Sequence, residues 1–249
     1  MNISGSGTIL AGEYNQKISI SGSGRIDGNI RGTDFSCAGS ARGKGNIDCS
    51  GDVSVEGSMT LEGCLTGKTV RISGSGKIAE SCTAKDKLKI AGSFKAKSAK
   101  ASTLYCEGSI IAEEGIEAEK ARISGIINCA GLLNAESVEI VMEAHSSNKI
   151  GSIGGSYIKI YPKIRLQNIR DSRMPLLSRL IGIANTTSEG ITQISESIEG
   201  DTIALENVKA PLVIGRIVAI GSGCEIGIVQ YSEAIEIDPN AKVERTEKI

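Results

Sequence analysis

Along its first 140 residues the chain alternates apolar and polar positions in short runs, and each run is hung on a glycine. The glycines are Gly5, Gly22, Gly39, Gly57, Gly74, Gly92, Gly108 and Gly125, at intervals of 17, 17, 18, 17, 18, 16 and 17 residues. All but Gly125 are followed by serine. Two residues before each glycine stand Ile3, Ile20, Cys37, Val55, Ile72, Ile90, Cys106 and Ile123. Four before, from the second repeat on, stand Ile18, Phe35, Val53, Val70, Leu88, Leu104 and Ala121. Apolar residues return four after the glycine (Ile9, Ile26, Leu61, Ile78) and eight after it (Ile30, Ile47, Leu65, Cys82). Period-two alternation of this kind predicts strands.

A period of about 17 residues is too short for helical repeats, which need ~33 or more. It accommodates three short strands and three corners. Coils of one length stack so that equal offsets overlie, and the apolar columns then form one continuous core that no coil buries alone. The expected fold is all-β: a right-handed parallel β-helix of about 12–13 coils of ~17 residues, with one irregular insertion. Right-handedness is preferred because the clean hexad of left-handed helices is missing. The recurrent glycine is expected to supply φ > 0 or a tight corner.

The register weakens after Met142, Ile158 and Ile160, and the text changes over 161–202. Lys163, Arg165, Arg170, Arg173 and Arg179 make the first half of that stretch basic around an apolar knot of Leu176, Leu177, Leu180 and Ile181, and Glu189, Glu196 and Glu199 make the second half polar. An insertion from one face of a solenoid is the expected arrangement. The division is therefore β-helix coils over 1–160, the insertion over 161–202, and C-terminal coils with a tail over 203–249. Val218 and Ile235, like Ile220 and Ile237, stand 17 apart and mark the resumed repeat. The insertion's knot, flanked by Arg173 and Arg179, is a candidate either for packing on the β-helix or for peripheral contact with an anionic membrane surface.

Charge is balanced, with 28 basic against 29 acidic residues, so no global field attracts nucleic acid. There is no Trp, and two Phe and five Tyr offer few stacking platforms for single strands. No apolar run approaches the ~18 residues of a membrane span. The seven cysteines are widely spaced without CxxC, and several fall in the apolar columns, which reads as buried reduced thiols and a cytoplasmic location.

Catalytic signals fail on inspection. Gly67-Lys68-Thr69 echoes a phosphate-binding loop, but Glu62 stands where the first glycine belongs, and strand residues follow instead of a helix. The one histidine, His145, lies in a polar stretch that reads as a loop. Glu113, Glu114 and Glu117 read as rungs of a solvated charge ladder, with Lys97 and Glu113 at one offset in adjacent coils. No catalytic, cofactor or metal site is expected.

The coils with Ile-Ser-Gly-Ser-Gly at 20–24 and 72–76, and the closing stretch from Ile220-Gly221-Ser222-Gly223 to Asp238-Pro239-Asn240-Ala241-Lys242-Val243, resemble bactofilins, the polymer-forming bacterial cytoskeletal proteins, in a longer Gram-positive branch. The resemblance spans nearly the whole chain except the insertion, which that family's typical members lack. It implies a right-handed β-helix, nucleotide-independent end-to-end filaments, and a scaffold role in cell shape, division or motility. Its partners would be other copies of itself, related bactofilins or cell-envelope proteins, with the chain in the cytoplasm or at the inner face of the membrane. The expected polymer contacts are Met1, Ile3 and Ile9 at one end and Ile235, Ile237 and Val243 at the other. Two alternatives stand beside this: a monomeric β-helix module presenting the insertion to a partner, and a β-helix enzyme acting on polysaccharide or transferring acyl groups.

Overall fold

The computed structural model describes residues 1–163 and 190–249. The insertion candidates Arg173, Leu176, Leu177, Arg179, Leu180 and Ile181 lie outside the described residues. The described chain is all-β, a parallel β-solenoid of about 13 turns, as its period implies. It divides into two compact units, Met1–Lys120 and Ala121–Ile249.

In the first unit, β1 (Asn2–Ile3), β2 (Ser6–Tyr14), β3 (Ile18–Ile20), β4 (Ser23–Gly32), β5 (Phe35–Cys37), β6 (Ser40–Gly43) and β7 (Ile47–Cys49) make the opening coils. They are followed by β8 (Val53–Val55), β9 (Ser58–Leu61), β10 (Leu65–Ile72), β11 (Ser75–Ile78), β12 (Ser81–Ile90) and β13 (Ser93–Cys106). β14 (Ser109–Ile123) carries the chain into the second unit. Pairing is parallel and matches the sequence columns residue for residue: Ile3, Ile20, Cys37, Val55, Ile72, Ile90 and Cys106 stack in one file. Ile18, Phe35, Val53, Val70, Leu88 and Leu104 stack in another. Both files are buried, so each coil lends one side chain per file to the core.

The anchor glycines differ from expectation in their reason. None of them has positive φ. A Cβ on Gly22, Gly39, Gly57, Gly74, Gly92 or Gly108 would instead collide with the carbonyl oxygen of the anchor glycine one coil earlier. Backbone lies directly on backbone at this corner, and only glycine permits that approach. Gly5, in the first coil, has nothing within 4 Å of its Cβ position.

In the second unit, β15 (Ile126–Met142), β16 (Ser147–Pro162), β17 (Ile191–Ile194), β18 (Ser197–Leu205), β19 (Val208–Ile220), β20 (Glu225–Ile237) and β21 (Lys242–Lys248) continue the pattern. Ile191–Ile194 and the start of Ser197–Leu205, expected within the insertion, are strand. β16 pairs with β17 and β18 across the interruption, stacking Ile150 on Ile194 and Ile160 on Leu205. The coil therefore closes in register around the intervening residues. Polar residues occupy core positions here. Fully buried Asn148 accepts from Ile127 N at 3.1 Å and donates to fully buried Thr192 Oγ1 at 3.3 Å.

The glycine contact yields a paired expectation. Gly57→Ala forces backbone to part from backbone and lowers stability by about 1–3 kcal/mol, the range seen for overpacking. Gly5→Ala leaves it unchanged. Denaturant unfolding of the two variants checks this; equal effects would show that the glycine column is not a steric requirement.

Candidate assembly edges

A parallel coil offers backbone N–H and C=O groups both ahead and behind, so the first and last coils each keep one edge. β1 pairs with β3 and β2 with β4; among the described residues neither has a partner on its other side. The oxygens of Met1, Ile3 and Gly5 accept from Ser19, Ser21 and Ser23 of the second coil. By the alternation of a parallel ladder, Asn2, Ser6, Thr8 and Leu10 present their backbone groups away from it. Tyr14 Oη donates to Leu10 O at 2.7 Å and occupies one of these carbonyls. From Asn2 to Gly12 there is no charged side chain, and Leu10 is 65% exposed.

The expected contact residues at this end behave differently from one another. Met1 is exposed, and its ammonium donates to Lys17 O at 2.7 Å. Ile3 and Ile9 point inward and are buried. What the first coil offers a partner is therefore backbone, with little apolar side chain. A substitution at Ile3 or Ile9 would act through folding.

The last coil is built otherwise. β21 covers β20 only over Glu225–Tyr231 and is itself charged at Lys242, Glu244, Arg245, Glu247 and Lys248. Charge along an edge strand discourages further pairing. Val243 is half-buried on Ile226. Ile235 and Ile237 stack on Val218 and Ile220 and lie beyond the cover of β21; Ile237 is exposed and Ile235 half-buried.

The residues considered for chemistry do not converge. His145 is exposed in a turn with φ 61°. Glu113, Glu114 and Glu117 each face a lysine one coil earlier: Lys95 at 2.7 Å, Lys97 at 3.3 Å and Lys100 at 2.7 Å. Lys97 thus meets Glu114 rather than Glu113, one residue beyond its expected neighbour. The bond from Lys95 holds the Glu113 carboxyl below its usual range. Gly67-Lys68-Thr69 lies inside β10, where Lys68 N donates to Gly51 O at 2.7 Å. No cluster of three or more His, Cys, Asp or Glu is placed to hold a metal among the described residues, and no helix there is long and apolar enough to cross a membrane.

No protein-family model, curated protein or solved structure matches the chain. Its chemistry must therefore be read from its own residues. The cysteines are all free thiols, and only Cys64 is not fully buried. Burial pushes the Cys49, Cys82, Cys106 and Cys224 thiols up to about 12.

Those thiols make stability fall in alkali. The folded state binds the proton up to pH ~12 while an unfolded thiol releases it near ~8.5, so the contribution is intact below that pH and is lost as pH rises toward 12. Each such thiol steepens the decline by about 1.4 kcal/mol per pH unit within the window. Cys82→Val should flatten the loss of stability between pH 9 and pH 11 in denaturant titrations, and an unchanged slope would contradict the assignment.

Proposed function

We propose that this chain is a self-assembling scaffold of the bactofilin kind, polymerising through the ends of its coil stack without nucleotide. The supporting observation is the first coil, whose outward backbone edge is uncharged and unpaired among the described residues. Soluble proteins cover or charge such edges. β21 illustrates the charged solution at the other end, while β1 and β2 have no charged side chain before Glu13. Adding another copy there satisfies the edge in the same way that each coil satisfies the next, and no bound nucleotide or metal is required by that chemistry. At the far end, Ile235 and Ile237 supply the apolar part of the contact. A cytoplasmic bacterial filament of this kind would serve cell shape, division or motility, with envelope proteins or related scaffolds as partners.

The purified full chain should sediment as polymer in buffer without nucleotide or metal and show filaments by electron microscopy. Gly5→Asp places a charge where the Cβ meets open space, so it should unfold at the wild-type temperature yet form shorter species. Ile237→Lys should do the same from the other end. Monomer at every wild-type concentration would end this reading.

A further inference from the structure

A groove of about 790 Å³ runs along one face of the Met1–Lys120 unit, across β2, β4, β6 and β9. Its floor is backbone drawn close to the core. A Cβ on Gly24 would stand 2.6 Å from Ile20 Cδ1, and one on Gly43 would stand 2.6 Å from Leu61 Cδ1. The outward side chains of these strands line the groove. Ser23 and Arg25 of β4 lie in register with Ser40 and Arg42 of β6, and all four are exposed. Coils are spaced by about 4.8 Å and alternate residues on one strand by about 6.6 Å, so two hydroxyls and two guanidiniums form a small rectangle. Lys44 adds a third cation, and Glu62 is the one carboxylate among the lining residues.

The arginines of this rectangle depart from the pattern of the other described arginines. Four of those are set opposite an anion one coil away: Arg31 between Glu13 and Asp48, Arg71 on Asp52, Arg122 on Glu139, Arg216 on Glu233. Arg245 pairs with Glu247 on its own strand. Among the described residues Arg25 and Arg42 are the arginines with no ion pair, and they are stacked on each other. Asp27, the nearest carboxylate along β4, pairs with neither. Like charges directly opposed in a sheet are destabilising. Departures from a chain's own local rule mark functional positions.

We propose that this groove binds a phosphate group, with its oxygens held between the Arg25 and Arg42 guanidiniums and by the Ser23 and Ser40 hydroxyls. The planar guanidinium fork matches two phosphate oxygens at once, and two stacked forks supply the charge that neutralises a doubly ionised phosphate. The hydroxyls donate along the other side of the rectangle, and Lys44 extends the site toward a second phosphate. The phosphate belongs either to a free phosphorylated compound or to a lipid headgroup. The site lies on lateral side chains, so it stands or falls separately from end-to-end assembly.

The test uses the full chain with two probes at constant ionic strength. Inorganic pyrophosphate is titrated by calorimetry, and vesicles of phosphatidic acid in phosphatidylcholine are floated beside vesicles of phosphatidylcholine alone. Saturable binding of pyrophosphate without flotation identifies a free compound; flotation with phosphatidic acid vesicles identifies a headgroup. In either case Arg25→Gln and Arg42→Gln should each weaken binding about tenfold or more, as expected for loss of a charge-assisted fork. Arg31→Gln, which removes an exposed ion-paired arginine from the same unit, should leave it unchanged. Melting temperatures in chloride alone confirm that the variants fold, and pyrophosphate should raise the midpoint of the wild type but not of Arg42→Gln. Binding of neither probe, wild-type binding by both glutamine variants, or an equal loss in Arg31→Gln would overturn the proposal.

Discussion

The contact of backbone on backbone at the anchor glycines sets the geometry from which the rest of each unit follows. Because the carbonyl oxygen of one anchor glycine occupies the space a Cβ would need in the next, successive coils cannot slide or tilt at that corner without losing the approach. Equal offsets are then held one above another. Isoleucine falls on isoleucine in the core, and Glu falls on Lys outside it, as at Lys100 and Glu117. The ion pairs are exposed and individually weak. Their regularity is a consequence of the stacking rather than its cause.

The same contact explains why an end is chemically special. An interior coil meets backbone on both sides, whereas a Cβ on Gly5 would meet nothing within 4 Å. The first coil keeps space at that corner, and no charged side chain stands along it from Asn2 to Gly12. β21 shows the contrasting treatment, with five charged residues in seven covering the start of β20. The two terminal strands thus treat their edges in opposite ways, and the uncharged one is the kind of edge that can pair with another chain.

The coil columns were legible in sequence because length and alternation were both regular. Cys37 and Cys106 read correctly as core because they held the place of isoleucine in the file. The reading failed where a polar residue took a core position. At 191–194 the inward residues are Thr192 and Ile194, so apolar alternation is hidden, and Thr192 is tolerated because Asn148 reaches it from the neighbouring coil. Asn148 stands in the polar stretch of His145 that reads as a loop, and nothing in one sequence announces that its partner lies 44 residues on. The role of the glycines was half legible: their period was plain, but the choice between positive φ and close approach needed coordinates. The Arg25–Arg42 pair carried a signal that could have been found, because both residues stand three after an anchor glycine in consecutive coils, with Thr8 and Thr60 rather than an acid at that offset in the coils on either side.

Amide hydrogen exchange along β2 tests the central claim, that the open edge of the first coil is where copies meet. Ser6 and Thr8 direct their N–H groups away from the second coil, while Gly7 and Ile9 direct theirs into it. The account predicts that Gly7 and Ile9 are protected at every protein concentration, and that Ser6 and Thr8 exchange freely in dilute protein and become protected as concentration rises. Free exchange at Ser6 and Thr8 in concentrated, sedimenting protein would contradict it.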